Sequence, residues 1–402
     1  MHKTVIAFAI AGLAAAPAFA DSNVTLYGSI DYGWLMRNGD SGLSGNAARP
    51  KQEFASGVST PNRIGFKGAD DLGNGTKVIF ELEGGFLADT GTNSIPGPTA
   101  GTSAVAVTCS KPVIGTAPKC TGAVNNSTLQ AAGQTGGGMF RRHAWVGLTG
   151  DWGTVLGGRV DGARYGVWGR YDPFEQGGVG NATSLNGQAT RADNAIAYVT
   201  PNYEGLYAVL AYTSSLIGQE AAGNNGDTRL WVVQPNYVHG PLSVTLNYEH
   251  ASAHNSPTNT TIKIYVAAAS YDFGVAKLTG VYEHVKTDSD TQCTEGVICD
   301  EDSWLVGGVV PVTETDKVRA SYVNYKDKSA AADSCAKWGI GGQHFLDKRT
   351  NFYVDFASIT QKDKGHCTVQ PTPTGGSLDA GAGSNQAGVG TRGFDAGIVH
   401  RF

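Results

Sequence analysis

The chain stops on FDAGIVHRF, Phe394 to Phe402. Taken alternately, Phe394, Ala396, Ile398, His400 and Phe402 fall on one side, and Asp395, Gly397, Val399 and Arg401 on the other. A period of two marks a β-strand, whose successive side chains point to opposite faces. Here the period runs to the last residue, although chain ends fray unless something holds them. A terminal strand of this kind requires a partner strand elsewhere in the chain.

The same period recurs from the other end onward. Leu26, Gly28, Ile30, Tyr32, Trp34 and Met36 alternate with Tyr27, Ser29, Asp31, Gly33 and Arg37. NRIGFKGADDLGNGTKVIFELEGGF, residues 62–86, reads as a hairpin turning at Asn74-Gly75, a strong tight-turn pair. RRHAWVGLTGDWGTVLGGRVDG, residues 141–162, repeats the design around Gly150-Asp151. Similar segments continue to the C-terminus and make about sixteen strands, an even number as in single-chain outer-membrane barrels.

The connections alternate in length. Short links fall at Asn74-Gly75, Gly150-Asp151, Pro201-Asn202, His239-Gly240, Phe273-Gly274, Thr313-Glu314 and Leu346-Asp347. Between them lie long polar, glycine-rich stretches, among them 87–139, 163–188 and 362–390. All the short turns therefore sit at one end of an up-and-down array. That is the plan of an all-β transmembrane antiparallel barrel, with short periplasmic turns, long external loops, one apolar face and one polar face. Closure pairs every backbone group, as lipid demands. It also pairs the last strand with the first, which holds Phe402 in the wall at the level of an aromatic girdle.

MHKTVIAFAIAGLAAAPAFA, residues 1–20, has the basic start, apolar run and Ala-x-Ala end of a secretory signal cleaved after Ala20. Its apolar run is short of the ~20 residues needed to span a bilayer. Cleavage removes Lys3 and takes the formal net charge from −5 to −6. No linker or composition break follows, so residues 21–402 are expected to form a single barrel domain.

The mature start VTLYGSIDYGW, the hairpin NRIGFKGADDLGNGTKVIFELE, the segment RRHAWVGLTGDWGTVLGGR and the terminal aromatic resemble the general diffusion porins of Gram-negative bacteria, in their neisserial and burkholderial branch. The resemblance spans the whole mature chain. It implies homotrimers of barrels with about sixteen strands, set among the lipid and lipopolysaccharide of the outer membrane. It further implies a third external loop folded into the lumen, and recognition of Phe402 by the barrel-insertion machinery. The expected function is passive passage of ions and small hydrophilic solutes through a water-filled channel, without enzymatic activity, cofactor or nucleic-acid partner.

Selectivity in such a pore comes from charge near its narrowest zone, where low-dielectric walls focus the field. The loop at 163–188 carries the acids Asp172 and Glu175, which the resemblance places on one side of the constriction. Alternation puts Arg37, Arg63, Lys67 and Arg159 on the lumen face, because Met36, Ile64, Phe66 and Val160 take the other. Arg141 and Arg142 are neighbours, so at most one points inward, and parity does not choose between them. Arg319 is a further lumen candidate. More wall bases than loop acids implies a mild anion preference despite the negative total charge.

Six cysteines, Cys109, Cys120, Cys293, Cys299, Cys335 and Cys367, lie in or beside the external loops. They allow fifteen pairings, and locality favours 109–120, 293–299 and 335–367. The family usually lacks such cysteines. The stretch TDSDTQCTEGVICDED gathers Asp288, Asp290, Glu295, Asp300, Glu301 and Asp302, read as a solvated acidic loop with a divalent-ion contact as the alternative. No metal site is expected at His366-Cys367. The rival functions are a substrate-specific channel for sugars or organic anions, for which Tyr165, Trp168 and Tyr171 would form an aromatic slide, and a barrel adhesin. A hydrolase would need partners for His143, His250, His284 or His344, and no such motif is present.

Overall fold

A computed structural model describes residues 23–40, 50–91, 108–109, 120–121, 139–182, 185, 188–216, 228–255, 258–289, 300–328, 333–365, 367–369 and 389–402. Residues 1–20, read above as a secretory signal, and Asp290, Cys293, Glu295, Cys299 and His366 lie outside the described residues.

The strands in chain order are β1 (Asn23–Asp40), β2 (Lys51–Ser56), β3 (Arg63–Gly73), β4 (Thr76–Gly85), β5 (Thr108–Cys109), β6 (Cys120–Thr121), β7 (His143–Gly150) and β8 (Gly153–Asp161). After helix α1 (Ala163–Tyr171) come β9 (Arg191–Val199), β10 (Leu206–Thr213), β11 (Thr228–His239), β12 (Leu242–Asn255), β13 (Thr258–Asp272) and β14 (Lys277–Ser289). The last five are β15 (Asp300–Pro311), β16 (Asp316–Asp327), β17 (Asp333–Phe345), β18 (Thr350–Asp363) and β19 (Val389–Arg401). Apart from the small β5–β6 pair, all belong to one antiparallel sheet that closes where β1 pairs with β19, from Ser29↔Arg401 to Asp40↔Val389.

The other edge of β1 is shared. Its first half pairs with β3 and its second half with β2, so these two strands occupy one wall position interrupted at residues 57–62. The closed wall therefore has sixteen strand positions. The interruption was not legible as a strand break: Asp31 draws it inward, accepting the backbone N–H of Ser59 at 2.6 Å.

The terminus is held as closure requires. Phe402 and Gly28 exchange two backbone hydrogen bonds of 3.1 Å. The Phe402 ring covers Gly28 so closely that a Cβ there would lie 2.5 Å from the ring. Outside, alternate side chains such as Leu26, Ile30, Phe66, Leu210, Trp304 and Val306 stand exposed, forming the apolar face that lipid covers. Aromatic pairs meet at a tilt on this face, including Tyr212–Trp231 at 4.3 Å and Trp304–Tyr322 at 5.4 Å between ring centres.

Cys335 and Cys367 form a disulfide with Cα atoms 6.4 Å apart, joining the start of β17 to the connection after β18. The backbones of Cys109 and Cys120 stand opposite each other in the β5–β6 pair.

Candidate functional site

The lumen is shaped by the connection between β8 and β9. It leaves the wall at Gly162 and runs as α1 against the inner faces of β12, β13 and β14. Two kinds of contact fix it there. Val167, Trp168 and Tyr171 bury themselves on an apolar patch of the inner wall that includes Ile264, Val266 and Val281. Arg164 forms a fork with the Glu283 carboxylate, with Nε at 2.7 Å from Oε2, and Trp168 Nε1 donates to the same oxygen at 2.7 Å. The Arg164 backbone N–H donates to Glu249 at 2.7 Å, and Glu301 stands 3.9 Å from the guanidinium. Burial disfavours the Arg164 charge, but Glu283, Glu301 and Glu249 outweigh it and raise its pKa above the ordinary value.

Beyond α1 the loop reaches the opposite wall. Asp172 is 3% exposed and accepts backbone N–H groups from Phe174 (3.0 Å), Gln176 (3.2 Å) and Ala182 (2.8 Å). Burial pushes its carboxyl above the usual range despite these amides and the nearby Lys337 charge. Glu175 and Gln176 adopt left-handed backbone at φ 53° and 62°, and the Glu175 side chain is exposed. The tip is then held from several strands. Gly178 N–H donates to the Val58 carbonyl in the β2–β3 interruption at 2.7 Å, and Val179 N–H donates to Asp395 Oδ2 at 2.6 Å. Lys337, fully buried, donates to the carbonyls of Val179 and Asn181. Arg319 makes a two-point bond to Asp355 at 3.1 and 2.7 Å, and its guanidinium lies 4.6 Å over the Phe174 ring.

Facing the loop is a polar sector of wall. Arg63 stands 3.6 Å from Glu83, and Arg142 bonds the same carboxylate. His143 bridges Glu81 at 2.6 Å and Asp161 at 2.9 Å, so both ring nitrogens are engaged. Arg191 pairs with Asp161 at 2.7 Å and lies 5.6 Å over the Tyr165 ring of the loop. Arg401 interacts electrostatically with Glu175, Arg63 and Asp31. The arrangement is a barrel lumen narrowed by one inward loop, with an acid at the loop tip and arginines on the wall.

Residues 5–364 match the model of the Gram-negative porin family. The chain belongs to that family. It is 27% identical to outer membrane porin protein 32 of Delftia acidovorans, with the whole of both chains covered. It is 24% identical to the major outer membrane protein P.IB of Neisseria gonorrhoeae, over 91% of this chain and 95% of the other. Among solved structures, an anion-selective porin from Comamonas acidovorans superposes with a TM-score of 0.69 at 26% identity, covering 95% of this chain and all of that one. This porin is thus a multi-pass outer-membrane β-barrel, a water-filled channel for passive transport of ions and small hydrophilic solutes.

The porin's structure redistributes the residues singled out by alternation. Arg37, Arg63 and Lys67 do face inward. Arg37 is 3% exposed and 3.4 Å from Glu53, while Lys67 lies 5.0 Å over the Tyr27 ring, nearer the short turn than Arg63. Arg142 takes the inward position beside Glu83, while the Arg141 charge lies near that of Arg159. Arg159 is a correction. Leu156 and Val160 share one parity and both face the lumen, where Val160 packs beside Ala192 and Leu230; the register shift is on β9, where Asp193 and Asn194 stand against Arg159. Arg159 therefore points away from the lumen and bonds Asp193 and the Arg141 carbonyl.

Three other expectations change. Glu301 is not part of a solvated acidic loop: it is an inward, buried residue of β15 that accepts the Tyr325 hydroxyl at 2.7 Å. Asp300 and Asp302 do approach His284, but Lys328 Nζ lies 2.6 Å from Asp302, where a divalent ion would otherwise meet the pair. Trp168 and Tyr171 are buried against the wall at 0% and 1% exposure, so they form no aromatic slide. Arg401, Arg191, Lys337, Asp355 and Asp395 were not nominated from the sequence. The terminal alternation had placed Arg401 and Asp395 on the inner face without assigning them a role.

Proposed function

We propose that this porin passes small anions more readily than cations, with Glu175 on the loop facing Arg63 and Arg401 across the constriction. The observation that carries the reading is the difference between the two loop acids. Asp172 is consumed by backbone amides, so it shapes the tip, whereas Glu175 alone presents a charge to the opening. Against this one acid stand Arg63 and Arg401, with Arg142 and Arg191 behind them, each partly neutralised by a carboxylate. Arg37 and Lys67 contribute a more distant positive background, and Arg141 and Arg159 none directly. The anion selectivity named for the Comamonas protein supports the same sign.

The working unit is a homotrimer in lipid and lipopolysaccharide, made from a chain whose residues 1–20 are removed on export and whose residues 21–402 form one domain. The insertion machinery reads the Phe402 end, and the channel performs no chemistry on its solutes. The deciding measurement is the reversal potential of the purified protein in a planar bilayer under a salt gradient. Conductance in triplet steps with an anion-sided potential is the expected result. A cation-sided potential would overturn the charge map, and the absence of conductance would overturn the channel.

A further inference from the structure

Behind the loop, on the side away from Glu175, the lumen contains a cavity of about 120 Å³ between α1 and the inner faces of β8 to β11. Its wall is apolar where a porin lumen is ordinarily polar: Ala195, Ala197, Val199, Leu230 and Val232 face it. The helix contributes Gly162, Ala163 and Gly166. A Cβ placed on Gly166 would meet nothing within 4 Å, so the helix is set back from the wall at this point. Polar groups lie at both ends: Asp161, paired with Arg191, at the start of the helix, and Arg170 at its far end. There Arg170 donates to the Tyr207 hydroxyl at 3.0 Å and to Asn236 Oδ1 at 3.4 Å. Gln234 Oε1, at the same end, is buried and has no hydrogen-bond partner among the described residues.

An apolar cavity of this order holds a single aromatic ring; one of about 150 Å³ binds benzene. A guanidinium at its end selects a carboxylate, and an unsatisfied carbonyl oxygen selects a donor. We propose that this cavity is a binding site for small carboxylates with an apolar body and a hydroxyl beside the carboxylate, aromatic 2-hydroxy acids being the best fit. The ring occupies the space beside Gly166, the carboxylate pairs with Arg170, and the hydroxyl donates to Gln234 Oε1. Loading this site retains such acids beside the conduction path, a property that passive passage through the constriction does not supply.

The test is isothermal titration of the folded, detergent-solubilised protein with mandelate, benzoate, acetate and benzyl alcohol. Mandelate should bind most tightly and benzoate next, with acetate and benzyl alcohol weaker by about tenfold or more, since each lacks one half of the match. Arg170→Gln should weaken both aromatic acids by about tenfold and leave benzyl alcohol unchanged. Gly166→Leu fills the cavity with a residue that favours helix over glycine, and should abolish binding of all four probes while gel migration still reports a folded barrel. Acetate binding as tightly as benzoate, or mandelate binding undiminished in folded Gly166→Leu, would overturn the proposal. Conductance recorded on the same preparations separates loss of this site from failure of the channel reading.

Discussion

Two sectors of the lumen wall lie on either side of one loop and follow opposite chemistry. The sector at β3, β4 and β7 carries Arg63, Glu81, Glu83 and His143, joined at its loop end by Arg142 and by the Arg191–Asp161 pair. The sector at β9 to β11 carries alanine, valine and leucine at the same inward positions. Both belong to one continuous sheet with one alternation. The inward face of a barrel is therefore not a chemical category. It is polar where water and ions pass, and apolar where a loop docks or roofs a cavity.

The largest way to break this contrast is to free the loop that divides the sectors. Arg164→Ala leaves Glu283 buried without its fork partner, a loss of roughly 3–5 kcal/mol for a buried pair. Single-channel conductance should rise as the loop leaves the wall. Unchanged conductance would show that apolar packing alone holds the divider.

Charge reversal sharpens the comparison next. Arg63→Glu combined with Arg401→Glu should carry the reversal potential to the cation side, while a glutamate at Ala197, behind the loop, should move it little. Equal shifts from both would mean that ions sample both sectors alike.

Lys337→Met removes the ammonium from the loop-tip carbonyls, and leaving such acceptors unsatisfied costs about 1–3 kcal/mol. The expected readout is greater open-channel current noise with an unchanged sign of selectivity. Cys335→Ser should have the smallest effect on the channel. It removes a constraint worth roughly 3–4 kcal/mol for a loop of this length, lowering the temperature at which the barrel unfolds on gels. Conductance should stay as it is, because the disulfide lies at the external end.

The sequence made the wall legible because a strand's period is strict and the turns declare themselves. Asn74-Gly75 and the final FDAGIVHRF are where alternation and closure agree with the structure. It failed where an apolar residue faces inward. Val160 shares the inward parity of Leu156, so reading it as lipid-facing put Arg159 on the wrong face. The constriction was legible only in part. Parity identifies which face a residue is on but not what packs against that face, so nothing local distinguished the buried Lys337 from a wall lysine bathed by solvent. Nor could spacing show that Asp172 would spend its charge on the amides of Phe174, Gln176 and Ala182. The apolar inward runs of β9 to β11 were visible as letters, but their meaning depended on where a loop 163–188 would come to rest.

The interrupted wall position at residues 57–62 bears on the order in which the molecule is built. Its Val58 carbonyl receives Gly178, while the neighbouring Val179 binds Asp395, a residue 216 positions further along the chain and on the last strand. The Val179 contact can form only once β19 is in place. Contacts of such sequence separation form late, since their loop-closure entropy is spent before they are rewarded. The last hold on the tip therefore depends on the strand that closes the barrel, whereas the docking of α1 on β12 to β14 does not.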